Sequence, residues 1–144
     1  MTVYESLVRW INEILTDPQN NFPPVRTVTD IEAMPNIPES QNAALYSSPN
    51  DTQTQLSGGQ VKHTAYKTFY IRRDFKERAS RLENEVFVEN LKRCIYEKNL
   101  DGIMPDDGRG WESIECNAGI YPAQRHENDD YADYLVPLKL VYVE

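Results

Sequence analysis

One stretch constrains this chain more than any other: from Val61 to Ile71 it alternates between apolar and polar positions. Val61, Ala65, Phe69 and Ile71 share one parity, and Lys62, Thr64, Tyr66, Thr68 and Tyr70 share the other. Successive side chains of a strand point to opposite faces, so this run predicts a long strand with one face in the core. Its other face is partly wet and rich in aromatics. His63 and Lys67 have the inward parity, which predicts that they lie toward strand ends or at a subunit boundary.

Helical signals flank this strand. Thr2 and Glu5 have capping-box spacing, and Tyr4, Leu7, Val8, Ile11 and Leu15 repeat at helical intervals, with Trp10 and Ile14 widening the stripe. A first helix is expected over 2–16, stopped by Asp17-Pro18. The segment 18–24 reads as a loop and Pro24 to Thr29 as a short strand. Residues 30–60 read as a long polar loop broken by Pro35, Pro38 and Pro49, with a short strand at Ala43–Ser47 and an exposed loop from Asn50 to Gly59. Ser80 and Glu83 form a second capping-box pattern. It predicts a helix over 81–98 packed through Leu82, Val86, Leu91 and Ile95, widened by Phe87, Val88 and Cys94 and ended by Asp101-Gly102. Residues 105–110 are turn-forming. Ile114, Cys116, Ala118 and Ile120 alternate as a third strand, Tyr121 to Asp130 reads as a polar loop, and a closing strand runs from Tyr131 to Val143. Pro137 inside that strand cannot donate to a ladder, which predicts an edge position or a bulge. Hairpins before and after a helix predict an α+β domain, with a mainly antiparallel sheet and two helices packed on one face.

The 144 residues suit a single domain able to bury about two-thirds of its unfolded surface. Net charge is -8, which disfavours general binding to a phosphate backbone. Most basic side chains lie between Lys62 and Lys98, as a local patch that is either solvated surface or a docking face. Acidic Asp74, Glu77, Glu83, Glu85, Glu89 and Glu97 thread through the same stretch, so helix-surface pairs and subunit salt bridges fit it better than phosphate contacts. No sequence-specific nucleic acid is expected as a partner. Cys94 and Cys116 read as two buried free thiols, with a disulfide between them as the alternative. No signal peptide or bilayer-length apolar run is visible, so no membrane association is expected and the protein is expected to act in the cytoplasm.

No phosphate-cradling glycine loop, nucleophile elbow, paired-cysteine zinc site or helical metalloprotease motif is present, so no enzymatic role, catalytic residue or cofactor is expected. His126, Glu127, Asp129, Asp130 and Asp133 are the closest approach to a divalent-cation set, but their spacing matches no standard loop, and an ordinary exposed acidic loop is the simpler expectation. Asp106 and Asp107, before Gly108, predict a turn whose carboxylates bond their own backbone. Nine tyrosines and two tryptophans exceed what one small core needs. Tyrosine's apolar body and polar tip suit an interface, and equally a wide, wet sheet face.

Two stretches, TFYIRRDFKERASRLENEVFVENLKRCI at 68–95 and YADYLVPLKLVYVE at 131–144, resemble small tail-completion or minor-capsid proteins of phages and prophages of Gram-positive bacteria. The element order resembles the tail-terminator fold over about residues 1–16 and 61–144. The resemblance implies a non-enzymatic virion component, assembled in the bacterial host's cytoplasm. Such a protein forms a homo-oligomeric ring, usually of six subunits, that caps the tail tube and meets the head connector. Tyr66, Tyr70, Arg72, Arg73 and Tyr134 are the candidate subunit-interface residues, and charge reversal at Arg72 and Arg73 is expected to weaken assembly while leaving the monomer folded. The polar stretch 30–60 also suits a head–tail connector or minor capsid subunit, and a tyrosine-rich protein-binding module is the remaining alternative.

Overall fold

Caps and alternation account for most of the architecture. The computed structural model describes residues 1–27, 42–126 and 130–144, with the backbone alone at 26–27, 42, 46–50 and 123–126. Helix α1 spans Val3–Thr16. The Thr2 hydroxyl accepts from the Glu5 amide at 3.1 Å and the Glu5 carboxylate accepts from the Thr2 amide at 2.9 Å, closing the expected capping box. Leu7, Trp10, Ile11, Ile14 and Leu15 are buried along one face, and Tyr4 and Val8 flank them half-buried. The helix ends at Asp17, whose side chain accepts from Gln19 and starts a short 3-10 turn over Pro18–Asn20.

Six strands form one sheet: β1 (Arg26–Thr27), β2 (Asn42–Gln55), β3 (Val61–Asp74), β4 (Gly110–Cys116), β5 (Tyr121–His126) and β6 (Tyr131–Val143). The order across the sheet is β1-β2-β3-β6-β4, with β5 also on β6, and every pairing except β1 with β2 is antiparallel. The chain is therefore α+β with a mainly antiparallel sheet and two helices packed against it. Three local expectations are corrected. The short strand expected at 43–47 is the first part of β2, and the loop expected from Asn50 is its continuation to Gln55, because β3 supplies a template that local sequence does not reveal. A bulge between Ser47 and Asp51 absorbs Pro49. The alternation from Ile114 to Ile120 breaks at 117–120, and 121–126 is a strand.

Pro137 is the third correction, since β6 is a central strand flanked by β3 on one side and by β4 and β5 on the other. The Pro137 carbonyl accepts from the Asn117 amide at 3.2 Å. Both backbone groups of a strand residue point to the same side, so the nitrogen of Pro137 faces the gap between β4 and β5. The missing donor meets no ladder partner there.

Helix α2 spans Arg78–Leu100, starting before the predicted cap, and its N-cap residue Glu77 makes no side-chain cap bond. Tertiary bonds hold its first turns instead. Arg81 Nε donates to the Phe75 carbonyl at 3.1 Å, Asn84 Nδ2 to the Asp74 carbonyl at 2.8 Å, and Arg73 Nε to Asn84 Oδ1 at 3.0 Å. Its inward face is Asn84, Phe87, Val88, Leu91, Cys94 and Ile95, while Leu82 and Val86 are 58% and 68% exposed. At 3.6 residues per turn, Leu82 and Leu91 stand about 180° apart and cannot both face the core. Phe87, Leu91 and Ile95 join Leu7, Ile11 and Ile14 of α1 in one cluster with Leu45, Phe69, Ile71, Val136 and Leu138. These strand residues are register partners on a single sheet face, as in the row Leu45, Phe69, Val136.

Candidate interaction surface

The opposite sheet face carries Thr64, Tyr66, Thr68 and Tyr70 of β3 beside Leu135, Pro137, Lys139 and Val141 of β6, all half-buried. No described helix covers it. Of the five candidate interface residues, Tyr66 and Tyr70 are half-buried on this face, and Arg72, of the same parity, is buried, as are Tyr134 and Arg73. Tyr134 points to the helix side, packed with Phe75, Val88 and Ala132. Arg72 is 2% exposed and forms a two-point pair with Asp133, its register partner, at 2.9 and 3.2 Å. Arg73 projects to the other face, where Asn84 and the Phe87 ring enclose it. Charge reversal at Arg72 would leave two buried carboxylates facing each other, so the expectation of an intact monomer is corrected. Consecutive arginines on a strand diverge; each meets a partner from another element, Asp133 on β6 and Asn84 on α2.

The structure also shows surface that the sequence reading missed. At 100° per residue, Leu82, Val86, Tyr96 and Leu100 fall within an arc of about 80° on the outer side of α2. All four are exposed, as is Ile103 just beyond the helix. Glu89 and Arg93 lie in the same arc. This stripe was legible as soon as the helix was phased on Phe87 and Leu91. The sheet adds an open edge, for among the described residues no strand pairs with the outer side of β2 beyond Ala43. Asp51 to Gln60, along the end of β2 and the turn into β3, are exposed.

Polar clusters elsewhere serve the fold. Asp107 accepts from Ser6 Oγ at 2.6 Å, Trp111 Nε1 at 2.8 Å, and Arg109 at both its amide (3.1 Å) and Nη1 (2.8 Å). Burial would raise the pKa of this carboxyl, but the donors outweigh it and lower it to about 2. Of the two carboxylates expected to bond their own backbone, that of Asp107 is shown to do so, and it also clamps α1 to β4. Arg109 continues the network to Glu144 at 3.0 Å. His63, on the inward parity, stacks on Tyr142 at 4.8 Å between ring centroids, with Glu144 3.3 Å from Nε2 and Asp51 3.7 Å from Nδ1.

Among the described residues no group of three or more His, Cys, Asp or Glu side chains is placed to hold a metal ion. Of the acidic candidates, Glu127 and Asp129 lie outside the described residues, as does the side chain of His126, and Asp133 is engaged by Arg72. Cys94 is buried and Cys116 half-buried, and both are free thiols. Burial pushes the Cys116 thiol up to about 11. No described helix is long and apolar enough to cross a membrane. Compared with protein-family models and with curated proteins, the chain matches none.

Proposed function

We propose that this chain is a structural subunit of a phage or prophage particle, joining copies of itself into a ring that caps the tail tube and meets the head connector. The observation that carries the reading is apolar surface left over once the core is complete. The α2 stripe of Leu82, Val86, Tyr96 and Leu100 faces away from the sheet, while the half-wet face of Tyr66, Leu135 and Val141 lies on the far side of that sheet. Exposed apolar patches of this kind mark interaction sites. Two unlike patches on opposite sides of a subunit meet head to tail, and head-to-tail contacts that close make rings. The order of α1, a long strand leading into α2, and closing strands supports the same reading through the resemblance noted in the sequence. The role is non-catalytic, with the virion as its location.

Light scattering of the purified protein over a concentration series tests this. A discrete hexamer, or a concentration-dependent climb toward one, is expected. A monomer at every concentration would count against a self-assembling ring and move the reading to a connector subunit or a protein-binding module.

A further inference from the structure

Arg73 ends the inward face of β3 and is 7% exposed. Its Nε donates to Asn84 and its guanidinium lies 4.4 Å from the centroid of the Phe87 ring, yet its buried Nη1 has no acceptor. Buried donors almost always find a partner, and a charged one left without it is costly. Burial lowers the Arg73 pKa, and Glu83, Tyr134 and Asp74 oppose the shift.

Arg73 lines an open groove between the segment after α1 and the first half of α2, walled by Phe22, Pro23, Val86 and Phe87 with Glu83 at its rim. Phe22 meets Phe87 edge-on at 5.2 Å, making one wall apolar. The remaining polar side chain on the α2 side, Asn90, is occupied: Nδ2 donates to the Asn20 carbonyl and Oδ1 accepts from Arg93. The groove is therefore lined by one guanidinium whose donors are not all spent, framed by apolar walls. A carboxylate on an apolar stem fits that frame. A phosphate, more highly charged and more strongly hydrated, would lose more on entering the same hydrocarbon walls and be repelled more by Glu83.

We infer that the groove receives an acidic side chain of a second copy of this chain, with Arg73 as the residue that binds it. Two observations point to a second copy. Val86 belongs both to the groove and to the exposed α2 stripe, so a copy that covers the stripe reaches the groove. A second copy also carries acidic side chains in excess, 23 carboxylates against 15 lysines and arginines, and a guanidinium in an apolar groove is the local complement of one of them. The inference rests on the self-assembly reading and names one of its contacts.

The test follows the Arg73 Nε–H signal of the full-length protein by NMR through a dilution series, alongside its solution mass. The expected result is an Arg73 shift that tracks association. Val86→Asp, a change at an exposed position, should weaken association, and Glu83→Gln should tighten it by roughly two- to five-fold by removing the competing rim charge. Phenylacetate should compete for the groove and phenylacetamide should not. Association with an unmoved Arg73 signal and no effect of either substitution would overturn the inference and leave the ring standing. Absence of association would overturn both, and a saturable phenylacetate shift in that monomer would reassign the groove to a small acid.

Discussion

Helix α1 and the passage from β3 into α2 reach similar ends by different means. The first is specified by neighbours in sequence: a capping box at Thr2 and Glu5, one clean apolar face, and a proline after its last turn. The second has no side-chain cap and is held by Asn84, which accepts from Arg73 and donates to the Asp74 carbonyl at the end of β3, and by Arg81, which donates to the Phe75 carbonyl just beyond it. Its inward face is complete without Leu82, Val86, Tyr96 and Leu100, which remain exposed. A helix that is capped locally needs little from the rest of the chain. One that is pinned by tertiary bonds has its rotation set by them, and whatever apolar residues fall outside become available to a partner.

The contrast can be broken most forcefully at Arg72. Arg72→Ala removes the two-point pair from the buried Asp133 carboxylate and is expected to cost about 3–5 kcal/mol in urea unfolding. Removing both partners together should recover part of that loss, and no recovery would mean that the pair is not the source. Next in size is a matched pair on α2. Leu91→Ala should lose about 2–5 kcal/mol, whereas Leu82→Ala should stay within about 0.5 kcal/mol and reduce self-association instead. Equal destabilisation by the two would contradict the helix phase.

Acid titration probes how α1 is docked. The Asp107 pKa lies at about 2 when folded against an ordinary 3.8, so its contribution is complete above 3.8 and is lost as pH falls through 2. The unfolding free energy between those pH values should drop more for the wild type than for Asp107→Asn, by about 1–2 kcal/mol. Parallel curves would remove Asp107 from the account. The smallest effect is expected at the cap itself, where Thr2→Ala should cost about 1 kcal/mol in thermal unfolding. A much larger loss would mean that α1 is less self-sufficient than its caps imply.

Much of the fold was legible because the signals were local. The alternation of Val61 to Ile71, the closing strand and the limits of α1 each follow from a periodicity or a cap contained in one segment. The first part of β2 was legible at 43–47, but its continuation to Gln55 was hidden because those polar residues have little strand character alone, and pairing along β3 supplies what they lack. The stripe on α2 was hidden by grouping Leu82 and Val86 with Leu91 and Ile95, residues that a helix cannot place on one face. Arg72 and Arg73 were legible as a basic pair and not as buried ones, since their partners Asp133 and Asn84 come from other elements.

By itself, the sequence determined the class of fold, the inner and outer parities of its longest strand, and a first helix with both ends marked. These depend on interactions between residues a few positions apart, where geometry leaves few choices. Tertiary structure decided which strand is central, why Pro137 is tolerated there, and which charges are buried. It also decided which apolar residues of α2 are left outside. Those outcomes depend on register and helix phase, which are set by contacts among segments far apart along the chain.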